Sequence, residues 1–474
     1  TPGGITLRIG VFFDGTGNNR VNSQMTAGCY AREVGLAEQA EEIQKFCMSR
    51  GYDEWGGAPD TSYGNDLSNV ARLYDLYRDD SERRLESDEP TGFIPVYVEG
   101  IGTSSGAEDS LYSQATGDGA QGVLARVEQT PSLILERLRF FHQHNEDRKV
   151  ARIEFDIFGF SRGAAAARHF ANEVLKSEKN ILAEVFANTP ITGEGFSRDD
   201  IAINFIGIFD TAAAVAKMSF GDFSVHDAAN PGVNLYLAPD VAKKVVHLVA
   251  RDERRHNFSL NTADTADIVL PGVHSDLGGG YVPRITERVL LSKPRQSPED
   301  VRLPHHESDA YRVTQYELRR LQDQLNLHGL PLQIRTWEKI FTRNAKGDRA
   351  RWKQVHAVIS CEREVRNDLS LIYLRVMREL GVKHGVQFKI IKEDDSRYAL
   401  PKELHTIAGK LMAYALGESR RIGLTLAEEA LLVARYIHLS ANWNAARGLD
   451  GSELSIVFIN RPAENFIRAV HPNV

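Results

Sequence analysis

One serine lies where its hydroxyl could attack a carbonyl carbon. Residues 159–163 read Gly-Phe-Ser-Arg-Gly, so Ser161 has a glycine two positions away on each side. A β-rich apolar run precedes this pentapeptide and an alanine-rich run follows it, which predicts a strand, a sharp turn and a helix. On such a turn the flanking positions must be small, and Gly159 and Gly163 meet that need. We predict that Ser161 is a catalytic nucleophile.

Candidates for the acid and the base of a catalytic serine lie further along the chain. A serine hydroxyl needs a histidine base, and that base is oriented by a carboxylate. Asp210 follows the apolar run at 204–209, and His274 lies on a glycine-rich loop after the apolar triplet at 268–270. The chain order serine, acid, histidine is that of α/β-hydrolases. We predict Asp210 as the acid and His274 as the base; Asp252, which also follows a predicted strand, stays open as an alternative acid.

Two backbone amides are predicted to bind the oxyanion of the tetrahedral intermediate. One is the amide of Arg162, the residue after the nucleophile. The other is expected from a loop after an early strand, and residues 14–19 (Asp-Gly-Thr-Gly-Asn-Asn) form such a loop, from which we select Gly15. The amino end of the helix after Ser161 would also favour the developing negative charge.

A sheet is needed to bring these residues together. Apolar runs predict six strands, separated by segments with helical periodicity: 5–13, 93–98, 153–158, 203–209, 245–249 and 268–270. This alternation predicts an α/β fold with a mostly parallel sheet, helices on both faces and an α/β-hydrolase-like order of catalytic residues. We assign residues 1–293 to this catalytic domain and interpret about 20–62 as an insertion.

The pattern changes from residue 294 onward. Apolar residues recur at helical spacing between 369 and 380, and Thr425 and Glu428 form a capping-box pattern before another apolar stripe. We predict a mainly helical C-terminal region over 294–474, acting as a cap or a membrane-contacting module. Such stripes are also typical of ordinary core helices, so this alternative stays open.

Composition excludes several classes of protein. The chain has 474 residues, with 57 Lys+Arg against 64 Asp+Glu and a formal net charge of −7. Without a block of basic residues, nucleic acid is not expected as a partner. No apolar run approaches the roughly 18 residues of a membrane span. Three cysteines do not make a disulfide framework or a zinc motif, and we predict neither a metal nor a cofactor. The start, Thr-Pro-Gly-Gly, shows no signal peptide.

Six segments together resemble a known set of motifs. They are 12–19 (FFDGTGNN), 69–75 (NVARLYD), 100–103 (GIGT), 159–163 (GFSRG), 207–211 (GIFDT) and 271–281 (PGVHSDLGGGY). In this order they resemble the α/β-hydrolase domain of bacterial type VI secretion lipase effectors of the first family. The resemblance covers about residues 5–285, and the C-terminal third is similar only loosely.

The resemblance implies a function and a route of delivery. It implies phospholipase A activity, with Ser161, Asp210 and His274 on the family's triad motifs. It also implies an antibacterial toxin that is made in the bacterial cytoplasm, carried by a secretion spike protein into the target cell's periplasm, and neutralised by an immunity protein. There it would act peripherally on membrane phospholipids. Two other interpretations remain: a soluble carboxylesterase of the same fold, and a non-catalytic secretion or adhesion module with a merely structural turn.

Overall fold

The strands are taken from a computed structural model that describes residues 4–15, 29–52, 66–100, 119–187, 189–212, 232–342, 351–447 and 456–474. They are β1 (Ile5–Phe13), β2 (Thr91–Val98), β3 (Val150–Phe160), β4 (Ile201–Phe209), β5 (Lys244–Ala250), β6 (Leu260–Asn261), β7 (Asp267–Leu270), β8 (Arg284–Leu290), β9 (Arg295–Asp300), β10 (Leu332–Thr342), β11 (Arg351–Arg366), β12 (Ala446–Arg447), β13 (Ile456–Val457) and β14 (Val470–His471).

The α-helices of the same residues lie between and after these strands. They are α1 (Ala40–Arg50), α2 (Asn69–Leu76), α3 (Gly119–His144), α4 (Arg162–Val174), α5 (Ala183–Ala187), α6 (His274–Gly278), α7 (Asp309–Leu325), α8 (Asp368–Lys383), α9 (His405–Ala415) and α10 (Leu426–Arg435).

A six-stranded parallel sheet is the centre of the fold. Its order is β2-β1-β3-β4-β5-β7, and every neighbouring pair is parallel. All six predicted strands are present, which confirms the α/β class. Because the strands are buried on both faces, their sequences are nearly continuous apolar runs rather than alternating ones.

Helices cover both faces of this sheet, as predicted. On one face, α3 and α4 pack their apolar residues against the strands, and the fully buried Ala164–Ala167 run lets α4 approach closely. On the other face lie α2, α8, α9 and α10. The apolar stripe of α8 is buried in this second core, and the Sδ atom of Met377 packs against Gly207 of β4. This C-terminal helix therefore forms one of the layers that cover the parallel sheet.

The C-terminal region also contains strands that the helical pattern did not predict. An antiparallel sheet joins β10, β11 and β8, and β9 also pairs with β11. In β11, Val358 packs with α1 while Ile359 packs with α7. Both faces of β11 are therefore covered, so its sequence does not alternate between apolar and polar residues. It is not a continuous apolar run either, because the polar His356 and Ser360 are buried among apolar neighbours.

This second sheet crosses the domain boundary predicted at 293. Its strand β8 ends at Leu290, before the boundary, and pairs with β11 well beyond it. The predicted insertion at about 20–62 contributes α1, which packs against the same sheet; residues 20–28 and 53–62 lie outside the described part. At the other end of the chain, β14 returns to pair with β6. In the described part of the chain, no helix has the length and apolarity needed to cross a bilayer.

Candidate active site

The carboxyl ends of three adjacent strands form the site. The register pairs Phe13 of β1 with Gly159 of β3, and Phe160 of β3 with Phe209 of β4. The residues that follow these strands, Gly15, Ser161 and Asp210, therefore come to one edge of the sheet. This is the edge at which ligands bind in open α/β folds.

Ser161 occupies a strained turn between β3 and α4. Its φ is 60° and its ψ is −121°, a backbone conformation that L-residues rarely adopt. The Ser161 amide donates to the Phe209 carbonyl at 3.1 Å, which ties the turn to β4. A Cβ at Gly159 would overlap the Gly163 carbonyl, and one at Gly163 would overlap the Phe13 and Asp14 carbonyls. The predicted need for glycine at both positions thus has a direct steric cause.

His274 and Asp210 meet beside this turn. The Nδ1 atom of His274 lies 2.5 Å from Oδ2 of Asp210, and both side chains are buried. Asp210 has a positive φ of 42°, and its other oxygen accepts a hydrogen bond from the Ala250 amide at 2.9 Å. With Nδ1 donating to the carboxylate, Nε2 is the ring nitrogen left to accept a proton. The ring of His274 packs on that of Phe160, 4.7 Å between centroids, directly next to Ser161.

Burial and charge act on this pair in opposite directions. Burial lowers the pKa of His274 below its usual value, although the Asp210 carboxylate works to raise it. Burial alone would raise the pKa of Asp210, but Arg468 and His274 outweigh that effect and hold it well below its usual range. At neutral pH the pair is therefore a carboxylate next to a neutral imidazole.

Arg468 is the residue of this site that sequence reasoning missed. Its Nη1 and Nη2 atoms each donate to one oxygen of Asp210 at 2.8 Å, and its Nε donates to the Phe258 carbonyl at 2.6 Å. The ring edge of Phe258 in turn packs on His274, 4.9 Å between centroids. Arg468 reaches the site because β14, two residues later, pairs with β6. No local motif marks it, since the contact depends on where the tail returns to the fold.

The alternative acid, Asp252, has other partners. Its Oδ2 accepts a hydrogen bond from the Gly272 amide at 2.8 Å, and its carboxylate lies between the guanidinium groups of Arg251 and Arg254. Asp252 thus shapes the loop that leads to His274, whereas Asp210 contacts the imidazole itself.

Both predicted oxyanion donors lie at the turn, but their backbone amides have different surroundings. Gly15 packs on Phe160, since a Cβ there would lie 2.8 Å from its ring. The Gly15 amide, however, donates to Oδ1 of Asp14 at 2.7 Å, so it must exchange this acceptor to bind an oxyanion. Arg162 is the first residue of α4, which places its amide at the positive end of that helix.

A second histidine next to a carboxylate, His247, has a structural role. Its Nδ1 lies 2.7 Å from Asp267, and its Nε2 accepts a hydrogen bond from the Thr211 amide at 3.0 Å. Because that nitrogen is occupied by a backbone amide, it is not available to deprotonate a hydroxyl. In the described ranges, no three His, Cys, Asp or Glu side chains are grouped to hold a metal ion.

Comparison with known proteins places this site in a family. The family model for the catalytic domain of Tle1-like phospholipase effectors of the type VI secretion system matches residues 176–297, a stretch that holds Asp210 and His274 and begins after Ser161. Among solved structures, the Tle1 effector bound to the VgrG spike from the type VI secretion system is 32% identical, with a TM-score of 0.83 over 99% of this chain and 94% of that one.

Two further comparisons give no additional support for the family assignment. An uncharacterized protein from Pseudomonas aeruginosa is 18% identical with a TM-score of 0.35, over 90% of this chain and 52% of that one. No curated protein matches the chain.

Fold and matches together define the class, an α/β-fold phospholipase effector of a secretion system. More narrowly, the chain belongs to the Tle1-like phospholipase effectors of the type VI secretion system.

Proposed function

We propose that this effector is a phospholipase A that cleaves acyl esters of glycerophospholipids through Ser161, His274 and Asp210. The observation that carries the proposal is the 2.5 Å contact between His274 and Asp210 beside a serine in a strained strand-to-helix turn. Membership of the family supplies the lipid ester as the class of substrate.

The proposed reaction is acyl transfer in two steps. Nε2 of His274 takes the proton of Ser161 as Oγ attacks the ester carbonyl, and the Arg162 amide holds the resulting oxyanion. The imidazolium then gives its proton to the glycerol oxygen as the carbon–oxygen bond breaks, which releases a lysophospholipid. Water, deprotonated by His274, next attacks the acyl-enzyme, releases a fatty acid and restores the serine. Asp210 stays ionised and stabilises the imidazolium in each step.

The delivery context follows from the similar effector. That effector is bound to a VgrG spike, so we propose that this chain is also carried by a spike protein of the type VI apparatus. In the target cell's periplasm it would attack membrane phospholipids as an antibacterial toxin, and an immunity protein would protect the producing cell.

Product analysis with the full chain tests the proposed chemistry. The wild-type protein is expected to release fatty acid and lysophospholipid in equal amounts from phosphatidylglycerol vesicles, and S161A is expected to release neither. The matched control is Ser275→Ala, which changes a half-exposed serine next to His274. Equal product from S161A and wild type would reject the assignment, and release of diacylglycerol or phosphatidic acid would show a different bond specificity.

A further inference from the structure

Arg126 is a buried cation whose hydrogen-bonding capacity is largely unused. It lies on α3 with 3% of its surface exposed. Its Nη1 donates to the Asp14 carbonyl at 2.8 Å, whereas Nε and Nη2 have no hydrogen-bond partner in the structure as described. A buried donor without an acceptor is costly, and a charged one more so. A buried guanidinium with two donor atoms left without an acceptor is a favourable site for binding an anion.

Among the described residues, no carboxylate accepts a hydrogen bond from the Nε or Nη2 atom of Arg126. The carboxylate of Asp14 attracts Arg126 but accepts its own hydrogen bonds from the Gly15 amide and the Tyr97 hydroxyl. A second guanidinium, that of Arg162, lies close enough to repel Arg126. Burial and this repulsion lower the pKa of Arg126 to about 9, against the opposing effect of Asp14. The partly buried Arg162 is thus a second positive charge near the buried Arg126.

This site adjoins the nucleophile. Arg162 follows Ser161 directly, and the Asp14 carbonyl that binds Arg126 packs against Gly163 at the start of α4. Ser161 is itself only 7% exposed and His274 only 3%. Ser161 and Arg126 are thus both buried, and the backbone that Arg126 contacts lies against the first turn of the helix that follows Ser161.

We infer that Arg126, with Arg162 beside it, binds the phosphate group of the glycerophospholipid whose ester Ser161 attacks. This inference rests on the proposed function. It adds to that function a binding site for the phosphate group of the substrate. In a glycerophospholipid the phosphorus is only a few bonds from the ester carbonyls, so a phosphate on the guanidinium groups leaves an ester near the serine. Arginine suits this role because its planar fork donates two hydrogen bonds to phosphate oxygens.

The decisive comparison is between lipids with and without the phosphate. We would measure kcat/KM of the full chain on phosphatidylglycerol and on diacylglycerol with the same acyl chains, in identical detergent micelles. In R126M, loss of charge-assisted hydrogen bonds should lower the phospholipid value by about 10- to 100-fold relative to the diacylglycerol value. The matched control is R139M, which changes an exposed arginine on the same helix and should leave the ratio as in wild type.

Binding to inactive protein separates this inference from the proposed chemistry. In S161A, R126M should weaken binding of soluble dibutyroyl phosphatidylglycerol about tenfold or more, as measured by calorimetry. If wild type cleaves no ester, the proposed function fails while this binding result still decides the inference. If R126M is not folded by circular dichroism, R126K replaces it, because one ammonium cannot hold the Asp14 carbonyl and clamp a phosphate in two places.

Three results would overturn the inference. Equal loss on both lipids would mean that Arg126 only holds the Asp14 carbonyl. An unchanged ratio together with unchanged binding would mean that it meets no substrate phosphate. Inhibition by inorganic phosphate can be measured in the same assay. If phosphate inhibits wild type but not R126M, and the ratio of the two lipid kcat/KM values is unchanged, the site binds a free anion instead.

Discussion

The guanidinium of Arg468 donates to both carboxylate oxygens of Asp210, each at 2.8 Å, in a buried environment. The same carboxylate is the partner of His274. The carboxylate that we propose as the catalytic acid is thus itself held by a cation from the end of the chain. Through this contact the C-terminal tail becomes part of the proposed catalytic centre, where it acts on the imidazole of His274 through Asp210.

Removal of Arg468 is expected to change both the rate and its pH dependence. Arg468 partly neutralises Asp210, so the imidazolium of His274 is stabilised less and its pKa is lower than it would otherwise be. In R468Q the pKa of His274 should rise, and the acid limb of the kcat/KM profile should move to higher pH. Loss of the clamp should also lower kcat by about 10- to 100-fold.

The control for this variant is Arg320→Gln, at an exposed position of α7. A merely structural Arg468 would lower activity in proportion to the fraction of unfolded protein and leave the pH limb in place. An unmoved limb with folded R468Q would therefore contradict the role of Arg468 in positioning and tuning the triad.

The glycine at the start of α4 offers a test of the turn's steric limits. In G163A the new Cβ would overlap the carbonyl oxygens of Phe13 and Asp14, which belong to backbone that cannot easily move. The free energy of unfolding should fall by about 3 kcal/mol, as for severe overpacking. Chemical denaturation measures it.

Gly409 is the matched position, because it lies within α9 and a Cβ there meets no atom within 4 Å. G409A should raise the free energy of unfolding by about 0.5–1 kcal/mol, since alanine favours a helix interior. Similar effects of the two substitutions would show that the turn at Ser161 is not sterically constrained as described.

Acid stability should depend on a buried histidine far from the active site. His356 of β11 is buried against Trp337, and burial lowers its pKa to about 4. The unfolded chain, with a histidine pKa near 6.5, binds the proton more readily than the folded one. The free energy of unfolding should therefore fall as the pH drops from about 6.5 toward 4.

Replacing His356 removes this proton linkage. In H356L the decline in stability between pH 6.5 and 4 should be shallower than in wild type, as measured by urea denaturation at several pH values. H306Q, at an exposed histidine, should keep the wild-type slope. A slope unaffected by H356L would mean that His356 is protonated equally in both states.

Local features of the site could be predicted from sequence, and distant ones could not. The strand, turn and helix around Ser161 arise from neighbouring residues, and the need for Gly159 and Gly163 follows from the turn itself. Asp210 and His274 could be selected because each follows a predicted strand, and the ends of parallel strands meet. Their catalytic roles remain predictions that only activity can test.

Arg468 could not be found in this way, because its place depends on how β14 pairs with β6, and one sequence carries no signal for that pairing. The antiparallel sheet was missed for a different reason. Because β11 is buried on both faces, its sequence lacks the polar–apolar alternation that identifies a strand. The clear helical periodicity of α8, which follows it, favours the prediction of a helical region. In both cases tertiary packing, rather than local preference, decides the structure.

Covalent labelling tests the activated serine most directly. A fluorophosphonate probe reacts with a serine that a neighbouring histidine deprotonates, and the modified residue can be mapped by mass spectrometry. We predict stoichiometric labelling of wild-type protein at Ser161, no labelling of S161A, and labelling slowed by at least about 10²-fold in H274A, as expected for loss of a general base. Wild-type protein that stays unlabelled, or that is labelled at another residue, would contradict the account.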